Sequence, residues 1–240
     1  MIKLFYAPDN ASLIIRIILH ELDISYQSVL VDRSKKEQAS EAYVSLHPKG
    51  LIPVCIIDGA AVFETAAIAL TLAESASRLG ARSSIKLAPD ISDACRSQFL
   101  KWLFFVSNTL HPDLRQMFYS DKYAGADKQR QESFLILVRE RLCDTLGIID
   151  HQYGDSGEDF LLGKTPSIID IYLALCMRWV QIYPVSERGK ITSADYPSIS
   201  RMLEKLQERD AVVDACGKEG ITGRFFTQPQ YSNPSEGSAL

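Results

Sequence analysis

Ser12 stands at the head of an apolar segment, Leu13–Leu22, whose polar positions are Arg16, His20 and Glu21. Before it comes a polar turn, Pro8-Asp9-Asn10-Ala11, and before that the last residue of an apolar run, Tyr6. A hydroxyl at a helix head has two uses. It can cap the first free N–H groups, or it can join them in holding a negative charge, which the helix dipole favours. The pair Glu64-Thr65 poses the same choice at the head of a second helix. Between the two, Pro53 follows Ile52 at the start of a strand, where the X–Pro bond is either trans on an edge strand or cis in a deliberate bend. Lys35 and Lys36 bring positive charge to a polar stretch before Tyr43. Ser167 and Asp170 have the spacing of a capping box, with Asp in place of Glu, and that spacing assigns them to folding.

Other chemistry is disfavoured by composition. Cys55, Cys95, Cys143, Cys176 and Cys216 are isolated and odd in number, which argues against a disulfide framework or a zinc site. His20, His47, His111 and His151 are scattered without metal-ligand spacing. A net charge of −4 speaks against a broad nucleic-acid footprint. No run is long and apolar enough to span a bilayer, and the N-terminus reads as no signal peptide, so the sequence predicts a cytoplasmic protein.

The elements that must position these residues follow from periodicity. "KLFYA", residues 24–31 and the two halves of 52–63 around Asp58-Gly59 read as strands, the last pair as a hairpin. Leu13–Leu22 and 64–76 read as helices, and the charged stretch between 32 and 43 as a loop or an exposed helix. The order is βαβαββα. After a linker at 79–90, helices are expected over 91–110, 128–149, 167–183 and 196–209. The last 19 residues, rich in Gly, Pro, Ser and Gln, read as a tail. The division predicted is 1–80, 89–221 and the tail 222–240, with 46% apolar residues to build the cores.

The stretch "HPKGLIPVCIIDGAAVFETAAI" (47–68) resembles the glutathione-binding core of glutathione transferases: a Pro-Lys-Gly loop, an X–Pro bond opening a strand, a hairpin, then Glu-Thr heading a helix. "LLGKTPSIIDIYLA" (161–174) is similar to the family's Gly-x-x-x-Ser/Thr-x-x-Asp element. "WLFFVSNTLHPDLRQMF" (102–118) and "QERDAVVDACGKEGI" (207–221) resemble the bacterial beta class in particular.

The resemblance implies an α/β thioredoxin-like N-terminal domain followed by an all-α domain, in a homodimer. It implies glutathione as co-substrate, with no metal, conjugated to small hydrophobic electrophiles in detoxification. The tripeptide would pair with the backbone of Ile52 at a cis Pro53, as an added strand does. Its γ-glutamyl end would lie at Glu64 and Thr65, and its glycyl carboxylate near Lys36. Phe105, His111, Phe118 and Tyr119 would border the second-substrate pocket. The beta class carries a cysteine where this chain has Ala11, so the thiol must be activated by another group: Ser12 first, then Asn10 or Tyr6. Rival readings are a glutathione-dependent isomerase, lyase or disulfide reductase, or a non-catalytic module of the same fold, which Ala11 keeps open.

Overall fold

The computed structural model describes residues 1–183 and 190–238 and divides into two compact units. The first unit comprises 1–93, 207–225 and the segment from 230 onward; the second comprises 94–206 and 226–229.

In the first unit the order is β1 (Ile2–Tyr6), α1 (Ser12–Glu21), β2 (Tyr26–Leu30), α2 (Glu41–Val44), β3 (Val54–Ile57), β4 (Ala60–Phe63) and α3 (Thr65–Glu74). The strands form one mixed sheet, β2-β1-β3-β4. β1 and β2 run parallel because a helix crosses between them, with Tyr6 opposite Leu30. β3 runs antiparallel to both β1 and β4. Asp58 and Gly59, at φ of 51° and 83°, make the tight turn between β3 and β4. The charged stretch after β2 forms two 3₁₀ turns, Arg33–Lys35 and Glu37–Ala39, and then the single turn of α2. One face of the sheet packs Phe5 against Tyr43, with Val31 and Val54 in the same cluster.

Every residue of α1 except His20 is buried. A helix that is apolar on nearly every side must be covered on nearly every side. One cover is α3, and another is α10 (Asp210–Gly217), from the far end of the chain. Residues 207–221, which the sequence places with the helical domain, therefore belong to the first unit. The expected tail is likewise built into the structure: Asn233 N–H donates to Gly220 C=O at 2.9 Å. Its last two residues, 239 and 240, lie outside the described residues.

The second unit is helical: α4 (Arg96–Phe105), α5 (His111–Phe118), α6 (Ser120–Ala124), α7 (Lys128–Ser156), α8 (Ile168–Ile182) and α9 (Pro197–Gln207). A π-helical turn, Val106–Leu110, joins α4 to α5. Pro112 follows directly; it lacks an N–H to donate, and the widened turn carries the chain past it without a break. All fifteen residues of α8 are buried. None of the five cysteines forms a disulfide. Among the described residues no helix is long and apolar enough to cross a membrane, and no cluster of His, Cys, Asp or Glu could hold a metal ion.

Candidate active site

The first part of the site lies where β3, β4 and α3 meet. The Ile52–Pro53 bond is cis. Ile52 precedes β3 and stands outside its ladder pairings, half-buried. Glu64 is the N-cap of α3 at φ 71° and ψ 114°, a conformation that costs a non-glycine residue about 1–3 kcal/mol. Its carboxylate is exposed and makes no hydrogen bond or ion pair among the described residues. Thr65 is the first helical residue and is buried, yet its hydroxyl also has no partner among the described residues. Among the described residues no side chain caps α3. The head of this helix thus presents free N–H groups, a free hydroxyl and the positive end of a dipole, which together suit a carboxylate. The carboxylate of Glu64 beside it suits an ammonium group.

His47, which sequence reasoning treated only as a non-metal histidine, is buried next to this corner. Its ring lies 4.6 Å from that of Phe63, and its Nδ1 accepts the Lys49 N–H at 3.2 Å. Burial holds the imidazole below its ordinary pKa, while the nearby negative charge of Glu64 works the other way. The "HPKG" stretch carried the signal, but only the fold brings His47 to Phe63 and Glu64.

The second part is the turn between β1 and α1. Ser12 is wholly buried, and its hydroxyl is engaged on both sides by one residue. Oγ donates to Ala7 C=O at 3.0 Å and accepts the Ala7 N–H at 3.3 Å. It closes the turn as a staple. Tyr6 is buried too; its hydroxyl donates to Glu236 at 2.6 Å, and burial first and Glu236 second push its pKa well above the usual phenol value. Asn10 differs from both. Its Oδ1 accepts the Ala11 N–H at 2.8 Å, which leaves the two Nδ2 protons without a partner among the described residues on a partly exposed side chain. Of the three candidates, the one with a donor to spare is Asn10.

Two features behind the turn hold it. Asp9 adopts φ 48°, and its N–H donates to Glu219 Oε2 at 2.8 Å. Glu219 is buried and pairs with Arg16 Nε at 2.7 Å; Arg16 also donates to Tyr26 and Ser28 and lies 4.4 Å over the Tyr6 ring. Burial raises the Glu219 carboxyl to about 7, against the opposing pull of Arg16 and the Asp9 N–H. An arginine in an otherwise apolar helix signals a buried counter-ion. The partner itself, 203 residues away, is decided by packing.

Lys36 is exposed, at φ 58°, between the two 3₁₀ turns, and makes no ion pair among the described residues. Lys35 is committed to Asp32 at 3.0 Å. Hydrogen bonds from Ser34 and the charge of Lys35 lower Asp32 to about 2. Of the two lysines, Lys36 is the one available to a ligand.

The aromatic candidates belong to the second unit. His111 Nδ1 is 2.8 Å from the Tyr172 hydroxyl, and its ring lies 5.7 Å from that of Trp179. Burial, with Arg115 adding to it, lowers His111 to about 4, so the ring is neutral at pH 7. Phe105 meets Trp102 edge-on at 5.4 Å, Phe118 meets Tyr183 at 5.4 Å, and Tyr119 sits under Lys122 at 4.2 Å. A separate cavity of about 800 Å³ opens in the first unit, lined by His20, Tyr26, Arg209, Asp214 and Lys218. It lies at the C-terminal end of α1, where His20 is about 12 Å along the helix from Ser12 at 1.5 Å per residue.

A mixed four-stranded sheet with covering helices, followed by a helical unit, is the fold of the glutathione S-transferases. Residues 11–75 match the glutathione S-transferase N-terminal domain model, and 112–214 match the C-terminal domain model. The chain belongs to the glutathione S-transferase superfamily. It is 28% identical over 221 residues to glutathione S-transferase GstA of Escherichia coli, covering 91% of this chain and 99% of that one. Among solved structures it is similar to the ternary complex of BphK, a bacterial GST, at 28% identity and a TM-score of 0.73, with 91% and 99% of the two chains covered. A sphingomonad glutathione S-transferase complexed with glutathione aligns at 26% identity and a TM-score of 0.71, over 91% and 98% of the chains.

Proposed function

We propose that this chain is a glutathione transferase. The observation that carries the reading is the uncapped head of α3, where the Thr65 hydroxyl and the Glu64 carboxylate both lack partners among the described residues beside the cis bond at Pro53. That corner offers complementary charge to both ends of an α-amino acid, such as the γ-glutamyl group of glutathione. Ile52 would pair with the tripeptide backbone, and Lys36 would meet the glycyl carboxylate.

The thiol would then lie by the turn before α1. A free thiol ionises near pH 8.5. The α1 dipole favours the thiolate by about 0.3–1 kcal/mol, and a hydrogen bond to a charged acceptor adds about 1.5–3 kcal/mol. Asn10 is the donor this geometry favours, with Ser12 stapling the turn and Tyr6 engaged elsewhere. The thiolate attacks the electrophilic carbon, a C–S bond forms, and a halide leaves or the adduct is protonated. Phe105, His111, Phe118 and Tyr119 supply aromatic surface for a small apolar electrophile. The same reading places the protein in the bacterial beta class, as a homodimer active in detoxification in the cytoplasm, with glutathione as co-substrate.

The test is the pH–rate profile with a model aryl halide, together with calorimetric titration of glutathione. Asn10→Ala should raise the apparent thiol pKa by about one to two units, at 1.36 kcal/mol per unit, with glutathione affinity nearly unchanged. Ser12→Ala should act on stability, and Tyr6→Phe, which removes no donor to the thiol, should shift the pKa less than Asn10→Ala does. Wild-type protein that binds glutathione without turning over any electrophile would instead be a binding module.

A further inference from the structure

The turn that carries Asn10 is held from outside by the far end of the chain. Glu219 takes the Asp9 N–H, and one hydrogen bond further on, Asn233 to Gly220, turns the chain back over the first unit. Gly220 permits that return, since a Cβ there would lie 2.1 Å from Asn233 C=O. Glu236 Oε1 then accepts the Tyr6 hydroxyl at 2.6 Å. Gly237, at φ 72°, lies so close to Leu30 and Pro8 that a Cβ would meet Leu30 Cδ1 at 2.8 Å and Pro8 Cδ at 3.2 Å. Residues 233–237 therefore grip the chain at Tyr6 and Pro8, on the N-terminal side of the turn. Between Pro8 and Asn10 stands Asp9 in the left-handed region, uncommon for a non-glycine residue though more accessible to Asp than to most.

We propose that Glu236 is a positioning residue: the segment 233–237 is a strap that fixes Tyr6 and Pro8, and through them the turn that presents Asn10 to the thiol. The proposal rests on the transferase reading for its activity readout. A phenol donating to a carboxylate is a short, charge-assisted bond. It also occupies the proton of Tyr6, so the strap sets the turn's geometry and keeps that hydroxyl out of the thiol's own hydrogen bonds. The charges facing this bond are Arg16, over the Tyr6 ring, and Glu219 beyond it.

The full chain is compared as wild type, Glu236→Gln, Glu236→Ala and Gly237→Val. Glu236→Ala and Gly237→Val should cut kcat about threefold to tenfold, the scale of a sub-ångström misplacement. They should raise the apparent thiol pKa while leaving the glutathione Kd within about twofold, because the carboxylates are held elsewhere. Glu236→Gln, whose amide oxygen still accepts the phenol, should recover most of the loss. Hydrogen exchange without glutathione should be faster in residues 7–12 for the first two variants and unchanged in β3 and β4. Unchanged exchange in 7–12 overturns the proposal. So does a lower melting temperature with an unmoved thiol pKa, which marks a merely structural contact, and so does a rise in turnover, which marks a lid. If the wild type neither binds glutathione nor turns over an aryl halide, the transferase reading fails, and the exchange data still decide whether the strap holds the turn.

Discussion

The heads of α3 and α8 are built from the same ingredients and end in opposite states. Each pairs a hydroxyl with a nearby acidic residue. At α8 everything is closed: Ser167 Oγ accepts the Ile169 N–H, and Asp170 accepts from the Ser167 N–H, the Ser167 hydroxyl, the Leu161 N–H and the Tyr153 hydroxyl. At α3 everything is open: Glu64 precedes the helix in a left-handed conformation that turns the chain away from a capping geometry, and neither its carboxylate nor the Thr65 hydroxyl finds a partner among the described residues. Two helix heads of like composition thus end in opposite states, one with its polar groups satisfied inside the protein and one with its polar groups unpaired among the described residues.

The largest expected effect tests the closed head. Asp170→Ala strands four buried donors, each costing about 1–3 kcal/mol when left unpaired. Partial repacking brings the expected loss to roughly 3–5 kcal/mol, read from urea unfolding. A loss below about 1 kcal/mol, the scale of a simple cap, would erase the distinction between the two heads.

The open head should give the reverse pattern. Thr65→Ala should weaken glutathione binding by about tenfold to a hundredfold, the equivalent of one lost hydrogen bond to a charged group at 1.5–3 kcal/mol. Its effect on stability should stay within about 0.5 kcal/mol, since the hydroxyl caps nothing. Calorimetric titration beside the same urea melts separates the two. A large loss of stability with unchanged affinity would make Thr65 a second structural cap.

A smaller effect distinguishes the surroundings of α8 from those of α3 by charge. His111, against Tyr172 of α8, has a folded pKa of about 4, below its ordinary 6.5, because burial disfavours the imidazolium. The unfolded chain therefore binds the extra proton between those values. Stability contributed by the neutral ring is present above pH 6.5 and is lost as pH falls through about 4. His111→Gln should flatten that decline, measured as melting temperature against pH. An unchanged slope would show that His111 is not shielded as the packing indicates.

Much of the candidate site was legible before the fold. Glu64, Thr65 and Ile52-Pro53 sit within 14 residues, and their conformations depend on local backbone geometry, which short-range pattern encodes well. The capping box at Ser167 was legible for the same reason. The turn before α1 was not. Ser12 reads as an available hydroxyl until Ala7 is folded onto it, and Asn10 reads as a turn residue until its oxygen is seen to be spent and its nitrogen free. Tyr6 looked like a core position, and it is buried, but the contact that defines it comes from Glu236.

What the sequence alone determined is therefore local: the βαβαββα order, the hairpin at Asp58-Gly59, the helix heads, and the need of α1 for cover on nearly every side. Periodicity, turn chemistry and capping act over a few residues and leave their marks there. What the tertiary structure decided is which distant segment meets each demand. Arg16 needed a counter-ion, and Glu219 provides it; α1 needed a cover, and α10 provides it; the buried Asp9 N–H needed an acceptor, and Glu219 supplies that too. Those pairings span about two hundred residues, and no local rule can express them. They are selected by the burial and charge neutralisation that the whole fold achieves at once.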